Sequence, residues 1–179
     1  MKKILFALLV SALLAAGATA QTAPPVLAAI GAKNVDEGQA LNFGVTSSDI
    51  DATIPVLSTS VLPPNATFID NANGTGSFAF NPDFTQAGGY SVTFYAADAV
   101  TADIDSEIVS ITVANINQSP VLAAIGAKNT TENILLAFAV SASDLDGTIP
   151  ALTSSALPTG ATYTDNGNGT ASFSWTPSF

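Results

Sequence analysis

The chain contains two copies of one sequence unit, offset by 95 positions. Residues 25–84 align with residues 120–179 without a gap, and 35 of the 60 aligned pairs are identical, including the decapeptide PVLAAIGAKN in full. Solenoid repeats run at roughly 20 to 50 residues, so a period this long indicates whole domains arranged in tandem. The sequence therefore predicts two domains with the same fold.

The apolar residues of the complete unit recur with a period of two. The segments ALNFGVTSS, YSVTFYAAD and SEIVSITVAN each alternate apolar with small or polar residues, which is typical of half-buried strands. In the last segment the pattern leaves the buried set open. Either Ile108 and Ser110 face inward, or Val109, Ile111 and Val113 do.

Turn residues separate these strands. Asn73-Gly74 lies between two short strands of the first unit, and Asn168-Gly169 has the same place in the second; Asn and Gly suit the positive backbone angles of a tight hairpin. Prolines and glycines recur at roughly 8 to 12 residues, and no helical period follows Ala20. About seven strands per unit predict an all-β sandwich.

The second unit is shorter than the first. Its last residue, Phe179, corresponds to Phe84, so counterparts of the two long strands that follow Phe84 are not in the sequence. We expect a second sandwich without its last two strands, in which Phe138, Phe173 and Trp175 are largely uncovered. This predicts a fragment of a longer tandem array or a prematurely ended reading frame.

The first residues read MKKILFALLVSALLAAGATA, with two lysines, a short apolar run and small residues before position 21. This pattern is typical of a secretory signal peptide and is too short for a spanning helix. We predict a signal peptide over 1–20, a complete repeat over 21–117 and a shortened copy over 118–179. The protein is expected to be exported to the cell surface or the extracellular space, with the periplasm as an alternative, and to have no transmembrane segment after the signal peptide.

After residue 20 the charge is strongly negative. Lys33 and Lys128 are the only basic side chains against fourteen acidic ones, a formal charge of −12. Such a surface repels phosphate backbones, which excludes nucleic acid as a partner. Cysteine and histidine are absent, which removes disulfides, Ser-His nucleophiles and the usual zinc ligands.

Several segments together resemble a known family. The entry pattern EGQ-L-F-V, the repeated D-x-D pair, the LP-ATF-D core and the strand AGGYSVTF are similar to the dystroglycan-type cadherin-like and immunoglobulin-like repeats of bacterial surface and secreted proteins. The resemblance covers the whole chain after residue 20. It implies tandem immunoglobulin/cadherin-like Greek-key β-sandwiches that serve as spacers, adhesion modules or appendages of exoenzymes.

The resemblance also implies calcium sites at domain junctions. The acidic and amide residues that match the family's ligand positions are Glu37, Glu132, Asp49, Asp51, Asp98, Asp144, Asp146, Asn115 and Asn117. The linker VANINQSP has asparagines where the family carries aspartates. A junction site would combine residues of both repeats, which are Glu37, Asp98, Asn115, Asn117, Asp144 and Asp146.

The repeated D-x-D pair has two interpretations. Calcium takes six to eight oxygens from carboxylates, amides and carbonyls, and two aspartates one residue apart can both face one ion while Ile50 or Leu145 between them points to the core. Alternatively, Asp49 and Asp51 cap a polar turn by accepting backbone hydrogen bonds. Duplication copies both kinds of loop, so the repetition does not choose between them.

Catalysis is not expected, since the chain has no histidine, a single tryptophan and no segment that predicts a deep pocket. We predict a noncatalytic, calcium-binding adhesion or spacer module whose partner is an unidentified cell-surface or matrix ligand. The alternative is a set of accessory domains of a secreted polysaccharide-acting enzyme, with carbohydrate binding as one role. Such binding needs exposed aromatics, for which Tyr90 and Tyr95 are the candidates in the complete repeat, although Tyr90 fits a sandwich-corner position better.

Overall fold

The computed structural model describes residues 23–179, and all regular secondary structure in that range is β-strand. The predicted signal peptide over 1–20 lies outside the described residues. Between residues 23 and 179 there is no helix long and apolar enough to cross a membrane. The strands are β1 Val26–Leu27, β2 Lys33–Asp36, β3 Leu41–Ser48, β4 Val56–Thr59, β5 Ala66–Asp70, β6 Thr75–Phe80, β7 Gly88–Ala97, β8 Ile104–Ala114, β9 Val121–Leu122, β10 Leu136–Ser143, β11 Thr162–Asp165 and β12 Thr170–Trp175.

The first repeat is a two-layer sandwich. One sheet has the order β1-β3-β6-β5 and the other the order β2-β8-β7-β4. All pairings are antiparallel except β2 with β8, which run parallel. The chain crosses between the layers after β1, β2, β3, β4 and β6, as in immunoglobulin-like domains. The predicted all-β, immunoglobulin-like sandwich is confirmed.

The core of this sandwich consists of the inward residues of both sheets. Phe78 stacks on Phe43 with ring centroids 4.7 Å apart, and the Phe94 ring meets Phe78 edge-on at 5.7 Å. On β8 the buried set is Val109, Ile111 and Val113, whereas Ile108 is 69% exposed. Pairing with β7 therefore decides which of the two alternating sets on β8 is buried.

The β5–β6 hairpin has a four-residue loop, and its positive φ angles fall on Ala72 (57°) and Gly74 (79°). The prediction of a tight Asn73-Gly74 turn with both residues at positive φ is therefore wrong. Asn73 acts through its side chain instead, since Oδ1 accepts hydrogen bonds from the backbone N–H and the hydroxyl of Thr75 at 3.0 and 2.7 Å. Asn168 repeats these contacts with Thr170 in the second copy.

The second repeat consists of one sheet, in the order β11-β12-β10-β9. No strand within residues 120–179 corresponds to β7 or β8, and residues 128–131 and 151–154 are also not strands. In the first repeat these two segments correspond to β2 and β4, which pair only with β8 and β7. Without those partner strands, residues 128–131 and 151–154 have no neighbouring strand with which to form backbone hydrogen bonds. Residues 120–179 therefore form a single layer in this structure.

Candidate functional site

The segment that joins the two repeats is held from the first repeat by Glu37. Because β2 runs parallel to β8, Glu37 follows the strand pair to its end, where its N–H donates to the carbonyl of Ala114 at 3.1 Å. The side chain is 2% exposed, and its Oε2 accepts a hydrogen bond from the N–H of Ile116 at 3.0 Å. A carboxylate thus fixes the start of the linker.

The same linker is held from the second repeat by Asp146. The Asp144–Asp146 loop follows β10, and Asp146 Oδ2 accepts a hydrogen bond from the N–H of Gln118. The amides of Ile116 and Gln118 are two residues apart, so at most about 7 Å separates them along the chain. Glu37 of the first repeat and Asp146 of the second therefore bind backbone amides that are close together on one short segment.

Each of these two carboxylates has a second oxygen that is buried and unpartnered. Glu37 Oε1 and Asp146 Oδ1 make no hydrogen bond, although neither atom is accessible to solvent. Buried polar atoms normally have a partner, since leaving one without costs about 1 to 3 kcal/mol. Carboxylate oxygens of this kind are suitable ligands for a hard cation, so the residues present fit such a group.

Asn115 and Asn117 are exposed on the linker beside these carboxylates. The Nδ2 of Asn117 donates to the carbonyl of Gln118 at 2.9 Å, so its amide is oriented along the linker. Amide oxygens are acceptable calcium ligands. Within residues 23–179 no three acidic side chains lie together in a position to hold a metal, so any site here depends on such neutral oxygens.

The first aspartate of each pair makes a turn. Asp49 Oδ1 accepts the N–H of Asp51 at 2.8 Å, and Asp144 Oδ1 accepts the N–H of Asp146 at 2.9 Å. These are the backbone hydrogen bonds of a polar turn. The residue between the aspartates does not point to the core, contrary to prediction. Ile50 is 83% exposed, because the loop turns away from the sandwich after β3.

The second aspartate of each pair holds the chain that enters its repeat. Asp51 Oδ2 accepts the N–H of Ala23 at 2.9 Å, and Asp146 does the same with Gln118, which is 95 positions later than Ala23. In both copies the D-x-D pair therefore forms a clasp, by which we mean that its second aspartate accepts a backbone hydrogen bond from the segment that enters the repeat. Only the second clasp faces another repeat among the described residues.

Asp98 does not belong to the junction. It lies in the turn before β8, whereas the junction follows the end of β8, and eleven residues of strand span about 35 Å. Asp98 is 3% exposed and is satisfied locally, by the N–H of Val100 at 2.8 Å and the hydroxyl of Thr101 at 2.9 Å. The Val100 N–H, followed by the Thr101 hydroxyl, lowers the pKa of this carboxyl below its usual value.

Glu132 also lies away from the junction. It is exposed, just before β10, while Asp144 follows the other end of that strand, and eight residues of strand span about 25 Å. Its counterpart Glu37 is buried because β2 and β8 carry it to the linker. Of the predicted ligands, the structure brings Glu37, Asp146 and the linker asparagines to one place, with Asp144 supporting the turn.

Sequence reasoning missed a second set of carboxylates that hold backbone amides. Asp105 Oδ2 accepts the N–H of Leu27 at 2.8 Å, and both oxygens of Glu107 accept the N–H groups of Ile30 and Gly31 at 2.9 to 3.1 Å. The signal was present as two acids, Asp105 and Glu107, in phase with the buried Val109 and Ile111 on the inward side of β8. Their role as acceptors becomes clear only when the decapeptide is seen to lie beside β8. The alternation of apolar and polar residues along the strand does not reveal that neighbour.

The aromatic residues of the first repeat form no exposed row. Each of them is buried or half-buried. The hydroxyl of Tyr90 donates to the carbonyl of Gln86 at 2.9 Å, and its ring packs edge-on against Phe80 at 5.5 Å. This is the corner position predicted for it. A flat aromatic platform for sugars is therefore not found in this repeat.

These features define a class of protein: an immunoglobulin-like β-sandwich joined by a short linker to a second copy of the same sequence unit. No protein-family model matches the chain, and no curated protein matches it. Among solved structures, the chain is similar to an endo-fucoidan hydrolase of glycoside hydrolase family 107 at 15% identity and a TM-score of 0.48, over 87% of this chain and 24% of that one.

Two further likenesses are to immunoglobulin-like arrays and adhesins. The titin tandem domains A164-A165 match at 10% identity and a TM-score of 0.40, over 87% of this chain and 82% of that one. A mutant of the SrpA adhesin from Streptococcus sanguinis matches at 12% identity and a TM-score of 0.44, over 52% of this chain and 57% of that one. At these scores they are likenesses of shape, and the functions named belong to those proteins.

Proposed function

We propose that the protein is an exported, noncatalytic spacer or adhesion module in which calcium binds at the junction between the repeats and stiffens it. The observation that carries this proposal is that a carboxylate from each repeat accepts a hydrogen bond from the linker. Glu37 holds it from one side and Asp146 from the other, and each keeps one buried oxygen without a partner. A cation binding these two oxygens would connect the repeats directly.

The chemistry of the donors favours calcium over other metals. The available atoms are carboxylate, amide and carbonyl oxygens, and the described residues include no histidine or cysteine. Calcium accepts six to eight such oxygens in flexible geometry, whereas zinc and copper prefer nitrogen and sulfur. Glu37 and Asp146 would supply the charged ligands, while Asn115, Asn117 and backbone carbonyls would complete the shell.

A cation also removes an electrostatic cost. Two carboxylates on opposite sides of a short linker repel each other, and the strongly acidic surface adds to that repulsion. With a dissociation constant of about 0.5 mM, within the range of extracellular modules, 5 mM calcium stabilises the bound state by about 1.4 kcal/mol. Stiffening should therefore respond to millimolar calcium.

The proposal is tested by measuring the distance between the repeats. The chain has no cysteine, so Ser77→Cys and Ser172→Cys place two spin labels at equivalent exposed positions on β6 and β12. We expect the distance distribution from double electron-electron resonance to narrow when EDTA is replaced by 5 mM calcium. An unchanged width would refute calcium stiffening.

A matched pair of variants tests where the ion binds. Asp146→Asn removes a junction ligand, while Asp51→Asn makes the same change in the equivalent clasp of the first repeat. We expect Asp146→Asn to abolish the calcium-dependent narrowing and Asp51→Asn to leave it intact. Equal effects would mean that the ion is not at the junction.

A further inference from the structure

In the first repeat, the segment that enters the sandwich and the strand that leaves it lie side by side and run in the same direction. Residues 33–36 pair in parallel with residues 111–114 of β8. Before that pairing begins, the N–H of Leu27 already donates to Asp105 near the start of β8, at 2.8 Å. The entering segment therefore follows β8 from residue 105 to residue 114.

Carboxylates of β8 hold the first part of the entering segment. Leu27 donates to Asp105, and Glu107 accepts the N–H groups of Ile30 and Gly31 at 2.9 and 3.0 Å. Hydrogen bonds to a charged acceptor are roughly twice as strong as those between neutral groups. Side chains thus supply the contact where residues 27–31 are too irregular to form a backbone ladder with β8.

A third carboxylate holds the other end of the contact. The N–H of Glu37 donates to the carbonyl of Ala114 at 3.1 Å, and its Oε2 accepts the N–H of Ile116 at 3.0 Å. The four backbone pairs of β2 and β8 therefore lie between charged acceptors at both ends. We call this contact, formed by residues 27–37 with residues 105–116, the shear clamp.

Tension along the chain acts on the shear clamp in one particular way. The pull enters through the residues before Leu27 and leaves through the residues after Ala114. Because the two segments are parallel, these two points lie at opposite ends of the contact, about 30 Å apart for nine residues of strand. The segments must then slide along each other, so their hydrogen bonds break together rather than one after another.

We propose that the first repeat is a force-bearing module, in which the shear clamp sets the resistance to extension and Asp105, Glu107 and Glu37 are the side chains that carry the load. This inference goes beyond the calcium site and does not rest on it, since none of these hydrogen bonds involves a cation. Under load, the contacts of the clamp are lost in the transition state of unfolding, whereas contacts within the opposite sheet are kept. Changes in the clamp should therefore speed forced unfolding, and equally destabilising changes elsewhere should not.

The first experiment compares two pulling directions on the full chain with optical tweezers, in EDTA. The chain has no cysteine, so introduced cysteines at exposed positions take the handles. Pro24→Cys with Ser119→Cys loads the clamp in shear. Pro24→Cys with Ser106→Cys pulls on the same end of both segments and opens their hydrogen bonds in turn. At equal force we expect the shear pair to unfold about tenfold more slowly or slower still, because several hydrogen bonds must break in one step.

The second experiment separates the clamp from general stability. Glu107→Gln keeps the size of the side chain but removes the charge that accepts two N–H groups. In the shear pair we expect it to unfold about 10- to 100-fold faster at constant force, the factor that corresponds to losing these charge-assisted hydrogen bonds. Gly76→Ala is the matched control, since its Cβ meets the Phe68 ring in the opposite sheet. Its unfolding rate under load should stay within about threefold of the parent rate.

Two results would overturn the proposal. One is an equal unfolding rate for the two handle pairs, which needs no variant of the clamp itself. The other is an equal acceleration by Glu107→Gln and Gly76→Ala, because the carboxylate would then contribute to overall stability alone. Both experiments are done without calcium, so their outcome is independent of whether calcium binds at the junction.

Discussion

Replacing equivalent phenylalanines in the two repeats should have unequal costs. Phe78 is 1% exposed, stacks on Phe43 and meets the Phe94 edge of the opposite sheet. Phe173 has the same place on β12 and the same stacked neighbour, Phe138, but is only half-buried because no second layer covers it. The substitutions Phe78→Ala and Phe173→Ala therefore remove the same side chain from a closed and from an open core.

The magnitudes follow from burial. Removing Phe78 leaves an enclosed cavity and loses two aromatic contacts, for which large-to-small core changes cost about 3 to 5 kcal/mol. Fully burying a large apolar side chain contributes about 1.5 to 3 kcal/mol to the free energy of unfolding. Phe173 is only half-buried, so its removal loses roughly half of that contribution, and the space left behind opens to solvent. We expect about 0.8 to 1.5 kcal/mol for Phe173→Ala.

Native-state amide hydrogen exchange measures the opening free energy of each repeat separately. The slowest amides of β8 report on the first repeat and those of β10 on the second. Leu152→Ala is a useful control, since Leu152 is 8% exposed and contacts the same face of the second repeat. Equal losses for Phe78→Ala and Phe173→Ala would show that the face of the second repeat is covered in solution, and the reasoning from an open layer would be refuted.

Three other changes test particular contacts. Glu107→Gln should destabilise the first repeat by about 1.5 to 3 kcal/mol in urea unfolding, because the charged acceptor of two backbone N–H groups is lost; an unchanged midpoint would contradict this. Gly76→Ala should cost about 1 to 3 kcal/mol in urea unfolding, since a Cβ there overlaps the Phe68 ring; an unchanged free energy of unfolding would contradict this. Asp98 has a pKa held below its usual 3.8, so its stabilising effect is present above about pH 4 and is lost as the pH falls through the lowered value. Acid unfolding followed by circular dichroism should be less steep in Asp98→Asn, and an identical acid limb would refute the assignment.

The candidate site was only partly predictable. The repeat register predicted that Glu37 of one copy lies near Asp146 of the other, because a linker between tandem units must join the end of the first to the start of the second; in the structure each accepts a hydrogen bond from a linker amide. It could not exclude Asp98, since only the length and direction of β8 place that residue at the far end. The outward turn of Ile50 was missed for a similar reason, as a loop's direction depends on the sheet that it leaves.

The sequence by itself determined the fold class, the two-copy organisation and the strand pattern. These depend on local alternation and on self-similarity, which are written along the chain. Tertiary structure decided which side of β8 is buried, which carboxylates hold the linker, and that residues 120–179 form a single sheet. Those outcomes depend on pairing between distant segments: β2 and β4 form only where β8 and β7 lie beside them, and neither pairing can be read from the residues that take part in it.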